Sequence, residues 1–292
     1  MTVAKTPTAR RRNDVEQHKA VLKQAEQDGR LHEQSLHATV SNENWFILEG
    51  GEYLPTMGRM RAHRKLLEDF RKNPGNVSCD RLALVMAGPP GAGKSKAEGE
   101  IRADLAPSSS WRKIDPDEFK DLILRRAFTE GEYEEIVPPG LHENEARAYL
   151  RELAALVHEE SSDLAARARD EAIRRGENLV IDGTLKTYRK AESLIIRLLE
   201  ANYRVYLVDV EVGYVTSLLR VNKRWAKGYL EAEDSYMEGG SLVDHLGGRW
   251  IPDRCVVGIF PDGNVSASAC QRVVERLRTG YPDLRVRFER ND

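Results

Sequence analysis

The sequence predicts a three-layer α/β fold, a mostly parallel sheet with helices on both faces, and three observations carry that prediction. Short apolar runs alternate with helix-sized periodic stretches from about residue 76 onward, the rhythm of strands joined by crossover helices. One of these runs, Leu82 to Ala87, feeds a glycine-rich octet, Gly88-Pro89-Pro90-Gly91-Ala92-Gly93-Lys94-Ser95, that opens a helical stretch. Two further runs end in acidic residues, and open parallel sheets collect their ligands at the carboxyl ends of strands.

Taken from the start, the chain first shows four basic residues, Lys5 and Arg10 to Arg12, with no apolar stretch behind them, so the core of a secretory signal is not expected. Asn13 to Leu36 is rich in Gln, Glu, Lys and His and reads as a marginal or partner-dependent helix. Met57 to Lys72 resumes helical spacing through Met60, Leu66, Leu67 and Phe70 and stops near Pro74-Gly75. Residues 1–75 are therefore set apart as a polar, largely helical N-terminal extension, a candidate regulatory arm, from a second domain over 76–292. In that domain the expected strands are Leu82–Met86, Trp111–Ile114, Leu179–Ile181, Val205–Val210 and Val286–Phe288. Helices are expected over Lys94–Leu105, Asp117–Ala127, Glu143–Arg175, Tyr188–Ala201, Tyr214–Lys227 and Val265–Thr279, with Gly176 and Asn202 as stops.

Composition excludes several classes. The 292 residues include no apolar run near the ~20 needed to cross a bilayer, so no membrane role is expected. A net charge of −2 supplies no global basic field and argues against nucleic acid as the main partner. Cys79, Cys255 and Cys270 lie too far apart for a C-x-x-C pair, which fits neither a disulfide framework nor a zinc site and points to a reducing cytoplasm.

The octet reads G-x-x-x-x-G-K-S. Wrapping a triphosphate in backbone N–H groups needs glycines where φ turns positive, a lysine that reaches the β/γ oxygens, and a hydroxyl for Mg²⁺. Gly88, Pro89, Pro90, Gly91, Ala92, Gly93, Lys94 and Ser95, with Lys96 behind them, are thus the candidate nucleotide site of a P-loop NTPase fold, with ATP and Mg²⁺ as cofactors. At Ile114-Asp115-Pro116-Asp117-Glu118-Phe119, capping alone accounts for Asp115 and Glu118, with Pro116 at the first helical position. Asp117 is left for chemistry: a carboxylate facing a γ-phosphate accepts a hydroxyl proton or helps Ser95 hold Mg²⁺. Asp182 and Thr184, in Val180-Ile181-Asp182-Gly183-Thr184, follow another buried strand. Phosphoryl transfer also needs cations at the moving group. Arg220 and Arg224 lie four apart, and Arg249 sits in the loop Gly247-Gly248-Arg249-Trp250-Ile251-Pro252.

In this order, over about residues 57 to 260, the segments resemble the zeta toxin family of P-loop kinases, which phosphorylate the sugar of UDP-N-acetylglucosamine. The resemblance rests on Gly88–Ser95, I-D-x-D-x-F at 114–119, N-L-V-I-D-G-T at 178–184, Arg220/Arg224 and G-R-x-x-P at 248–252. It implies Lys94, Asp117, Arg224 and Arg249 as catalytic residues, Asp117 being the base, and Asp182, Thr184, Glu160 and Arg220 as substrate-binding residues. It also implies a UDP-sugar acceptor and an antitoxin partner. Three features depart from well-known members: Asp182 replaces a Glu, Ala166 stands where another substrate-contacting Glu is placed, and an extra segment, about Tyr229–Leu246, separates Arg224 from Arg249. The sequence is also compatible with a P-loop kinase of NAD, another nucleotide, a small metabolite or a polynucleotide 5′-hydroxyl, and with a nucleotide-gated binding protein with no small-molecule kinase activity.

Overall fold

A computed structural model describes residues 9–142, 147–261 and 267–291, with side chains from residue 13. In chain order the elements are α1 (Ala9–Gln27), β1 (Phe46–Glu49), β2 (Glu52–Pro55), α2 (Met57–Lys72), β3 (Leu82–Ala87), α3 (Lys94–Leu105), β4 (Arg112–Ile114), α4 (Pro116–Thr129), α5 (Tyr133–Ile136), α6 (His158–Arg175), β5 (Leu179–Asp182), α7 (Tyr188–Glu200), β6 (Arg204–Glu211), α8 (Tyr214–Met237), α9 (Asp253–Val257), α10 (Ala269–Gly280) and β7 (Arg285–Arg290). They fall into two compact units. One takes Met1–Arg61, Lys120–Ser161 and Lys223–Pro252; the other takes Ala62–Phe119, Ser162–Asn222 and Asp253–Asp292. The units interleave along the chain, whereas the sequence reading divides it once, at 75/76.

The second unit holds the sheet. Its strands run in the order β4-β5-β3-β6-β7, and every neighbouring pair is parallel. Central β3 is buried at all six positions, which is why its sequence is a continuous apolar run with no alternation. Leu82, Leu84 and Met86 pack with Val180, Val208 and Val210 against Ala97 and Ile101 of α3 and against Trp111. Helices α7 and α10 also pack on β6, with buried residues outside that cluster, among them Ile195, Leu198, Val274 and Leu277. The α/β expectation and its five strands are thus present. Both helix stops are present too: Gly176 at φ +72° and Asn202 at φ +60° take the left-handed position, and the next amides, of Glu177 and Tyr203, donate back to Ala172 and Leu198.

Three elements differ from expectation. The single helix expected over Glu143–Arg175 is a short 3-10 turn at Leu150–Leu153 followed by α6 from His158, its first residues lying outside the described ones. The start expected for the last helix, Val265, also lies outside the described residues, and α10 begins at Ala269, capped by the Ser268 hydroxyl. Helix α8 runs on to Met237 and absorbs much of the extra segment after Arg224.

In the first unit α1 is a full helix. It buries Val15, His18, Leu22 and Ala25, a stripe only one residue wide. Strands β1 and β2 form an antiparallel hairpin, which the sequence reading did not anticipate. Its turn is Gly50-Gly51 with both φ positive, as the type I′ two-residue hairpin loop requires.

Candidate functional site

The phosphate loop leaves β3 at Gly88, whose φ is +128°. A Cβ there would lie 2.1 Å from the Val210 carbonyl oxygen of β6, so no other residue fits. The loop is tied down from outside itself. Ser217 Oγ donates to the Pro90 carbonyl at 2.7 Å, Arg220 to that of Gly91 at 3.3 Å, and Asn291 Nδ2 to that of Ala92 at 2.9 Å. Arg220, assigned to substrate by sequence, therefore holds the loop from α8. Behind it α3 starts at Lys94, so the loop meets the positive end of a helix, a ready site for phosphate oxygens. Lys94 folds back across the loop, its Nζ donating to the Gly88 carbonyl at 3.2 Å and standing 3.9 Å from Asp182 Oδ1. Ser95 is exposed in the first turn.

Strands β4, β5 and β3 are neighbours, so their carboxyl ends bring Asp115, Asp182 and the loop to one edge of the sheet. Asp115 caps α4, accepting from the Asp117 amide at 2.9 Å, with Pro116 first in the helix. Burial, then the charges of Asp182 and Asp117, push the Asp115 carboxyl up to about 6. Lys113 of β4 answers this crowding. Its Nζ lies 3.3 Å from Glu98, 3.7 Å from Asp182 Oδ2 and 3.8 Å from Asp115. Burial opposes the Lys113 ammonium, yet Glu98, Asp182 and Asp115 outweigh it and hold its pKa above the usual lysine value. Asp182 thus stands between two ammonium groups. Lys113 was not singled out from sequence, although a lysine between Arg112 and Ile114, just before the I-D-x-D stretch, is a charge placed inside a strand that has to be buried. Thr184 accepts from the Gly88 amide through its carbonyl, and Leu185 after it is held at φ +52°, a strained turn for a branched residue.

Glu160, Arg224 and Arg249 belong to the other unit. Glu160 is buried and gripped by Arg59 through two bonds, at 2.6 and 2.8 Å, while Arg59 also reaches Glu132 at 3.0 Å and lies over the Trp45 ring. Arg249 pairs with Asp121 at 2.8 Å, and Asp121 takes Arg151 as well, also at 2.8 Å. Arg224 is exposed on α8. Neither Arg59 nor Asp121 carries a motif that sequence reading could have caught. Among the described residues no group of three or more His, Cys, Asp or Glu is arranged to hold a metal ion, and no helix is long and apolar enough to cross a membrane. Mg²⁺ needs no such cage, because it is bound through one or two protein oxygens plus phosphates.

A family model described as Zeta toxin matches residues 71–278. No curated protein matches the sequence. Among solved structures the chain is similar to the AvrRxo1-ORF1:-ORF2 complex with ATP, at 18% identity and a TM-score of 0.51, over 82% of this chain and 65% of that one. It spans less than two thirds of that protein's length. A second similar structure comes from the PezAT chromosomal toxin-antitoxin system of Streptococcus pneumoniae, at 17% identity and a TM-score of 0.39, over 62% of this chain and 66% of that one.

Proposed function

The chain belongs to the zeta toxin family, and we propose that it is an ATP-dependent kinase that transfers the γ-phosphoryl group to a sugar hydroxyl of a UDP-sugar, UDP-N-acetylglucosamine first among them. Members of the family are ATP-dependent kinases. The observation that carries the reading is the fixed phosphate loop with Lys94 laid across it, beside carboxylates from two adjoining strand ends. Lys94 swings from the Gly88 carbonyl to the β/γ oxygens, and the loop amides hold the rest of the triphosphate. Ser95 and Asp117 would hold Mg²⁺, which when bound neutralises charge on the β- and γ-phosphates. Oxygen donors suit that ion, and Asp115, whose carboxyl is pushed up chiefly by burial and then by Asp182 and Asp117, adds a further oxygen donor beside them. Asp117 accepts the proton of the attacking hydroxyl. Arg224 and Arg249 neutralise the charge that develops on the moving group, and Asp182, Thr184 and Glu160 orient the acceptor.

Asp182 is one methylene shorter than the Glu of well-known members, which favours a second reading, a different nucleotide-linked acceptor on the same machinery. The partner is an antitoxin, a reading supported by membership of a toxin family. Three free cysteines favour a reducing cytoplasm. Incubation with Mg²⁺-ATP and a panel of UDP-sugars, NAD and short oligonucleotides, read by acceptor mass with Lys94→Ala as control, tests the assignment. A gain of about 80 mass units, one phosphoryl group, on a UDP-sugar supports it. A gain only on NAD or an oligonucleotide replaces the acceptor.

A further inference from the structure

Glu152, a residue with no place in the scheme above, belongs to the first unit and has its side chain fully buried. A buried carboxylate persists only where donors satisfy it. Three do so: His18 of α1 at 2.9 Å, the Tyr149 amide at 2.8 Å, and Trp225 Nε1 of α8 at 2.8 Å. Two of these partners form the walls on which the Arg249 loop is built. A Cβ on Gly247 would lie 2.4 Å from Tyr149 Cβ, and one on Gly248 would lie 2.0 Å from the Trp225 carbonyl oxygen. Trp250 closes the other side, edge-on to Trp225 at 5.3 Å between centroids. Arg249 is therefore flanked on both sides by residues seated on Trp225, and Arg224 directly precedes Trp225 in α8. His18 completes the node by stacking on Tyr229 at 4.5 Å.

We infer that Glu152 is a positioning residue for Arg249 and Arg224, and that α1, through His18, is a support of this arginine-bearing segment. The inference rests on the kinase reading given above. The physical ground is distance sensitivity: a misplacement of about 1 Å in a group that meets the transition state can cost on the order of 100-fold in rate. Removing an acceptor beneath Trp225 or Tyr149 releases the walls of a loop that has no slack at Gly247 or Gly248.

The test is a double-mutant cycle on phosphoryl transfer with E152Q and R249A, kcat and the KM for ATP measured separately. E152Q should lower kcat about 10- to 100-fold with little change in KM. In the R249A background it should add little, because the residue it acts through is gone. H18Q should lower kcat in the same direction. Full additivity of E152Q and R249A, an unchanged kcat in a folded E152Q, or a rise in kcat for H18Q would overturn the inference. Should E152Q fail to fold, W225F, which removes the indole N–H donor and keeps a smaller aromatic ring, carries the same predictions. A wild-type protein with no transfer activity would refute the kinase reading itself, and this inference with it; an active wild type with an additive cycle would refute the inference alone.

Discussion

Replacing Asp115 by Asn should stabilise the nucleotide-free protein, and only above a particular pH. The carboxyl moves from 3.8 to about 6 on folding, chiefly through burial and then through Asp182 and Asp117. An acid whose folded pKa is raised costs nothing where both states are protonated, below about pH 4, and its full penalty where both are ionised, above about pH 6. Two pKa units correspond to about 3 kcal/mol, which is the ceiling. That shift already includes the attraction of Lys113 at 3.8 Å, and solvent screening of the part-exposed carboxylate trims the penalty, so a net gain of about 1–2 kcal/mol is expected near pH 7.5. The cap survives, because an amide oxygen accepts from the Asp117 amide as a carboxylate oxygen does. Urea denaturation of wild type and variant from pH 3.5 to 8, in EDTA and without nucleotide, should show two stability curves that meet in acid and separate above pH 6. A gap independent of pH, or a variant less stable than wild type at pH 7.5, would refute the reasoning.

Other expectations follow from single contacts. Gly88→Ala forces a Cβ to 2.1 Å from the Val210 oxygen at φ +128°, so ATP binding measured by calorimetry should fall at least tenfold, a loss of about 1.4 kcal/mol or more. Leu84→Ala, at a fully buried position in β3, should cost about 2–5 kcal/mol in a denaturant titration. Arg59→Ala would leave the buried Glu160 carboxylate without its two-bonded partner and should destabilise by about 3–5 kcal/mol, whereas replacing both residues together should recover part of that loss.

The sheet was legible because its physics is local. A strand buried on both faces has to be written as an unbroken apolar run, and Leu82 to Ala87 is one; the glycines of the loop are obligatory because φ and the approach of Val210 leave no alternative. The loop lysine and the Asp117 helix start were legible for the same reason. Helix α1 was legible only as a marginal helix, because its buried stripe contains His18, which composition counts as polar and which pairs with Glu152, far along the chain. Lys113 and Arg59 were equally hidden: their roles depend on Glu98, Asp182 and Glu160, partners that sequence spacing does not bring together. The hairpin could have been read, since Gly50-Gly51 between two short apolar runs is a hairpin signal.

The most direct test of the central claim follows the γ-phosphate of ATP itself. With γ-labelled ATP, Mg²⁺ and UDP-N-acetylglucosamine, the wild type should move label to the sugar nucleotide, Lys94→Ala should neither hold nor move it, and Asp117→Asn should bind ATP yet transfer slowly. Label transfer undiminished in both variants would contradict the assignment of the phosphate loop and its base, and label that never leaves ATP in the wild type would contradict the kinase reading altogether.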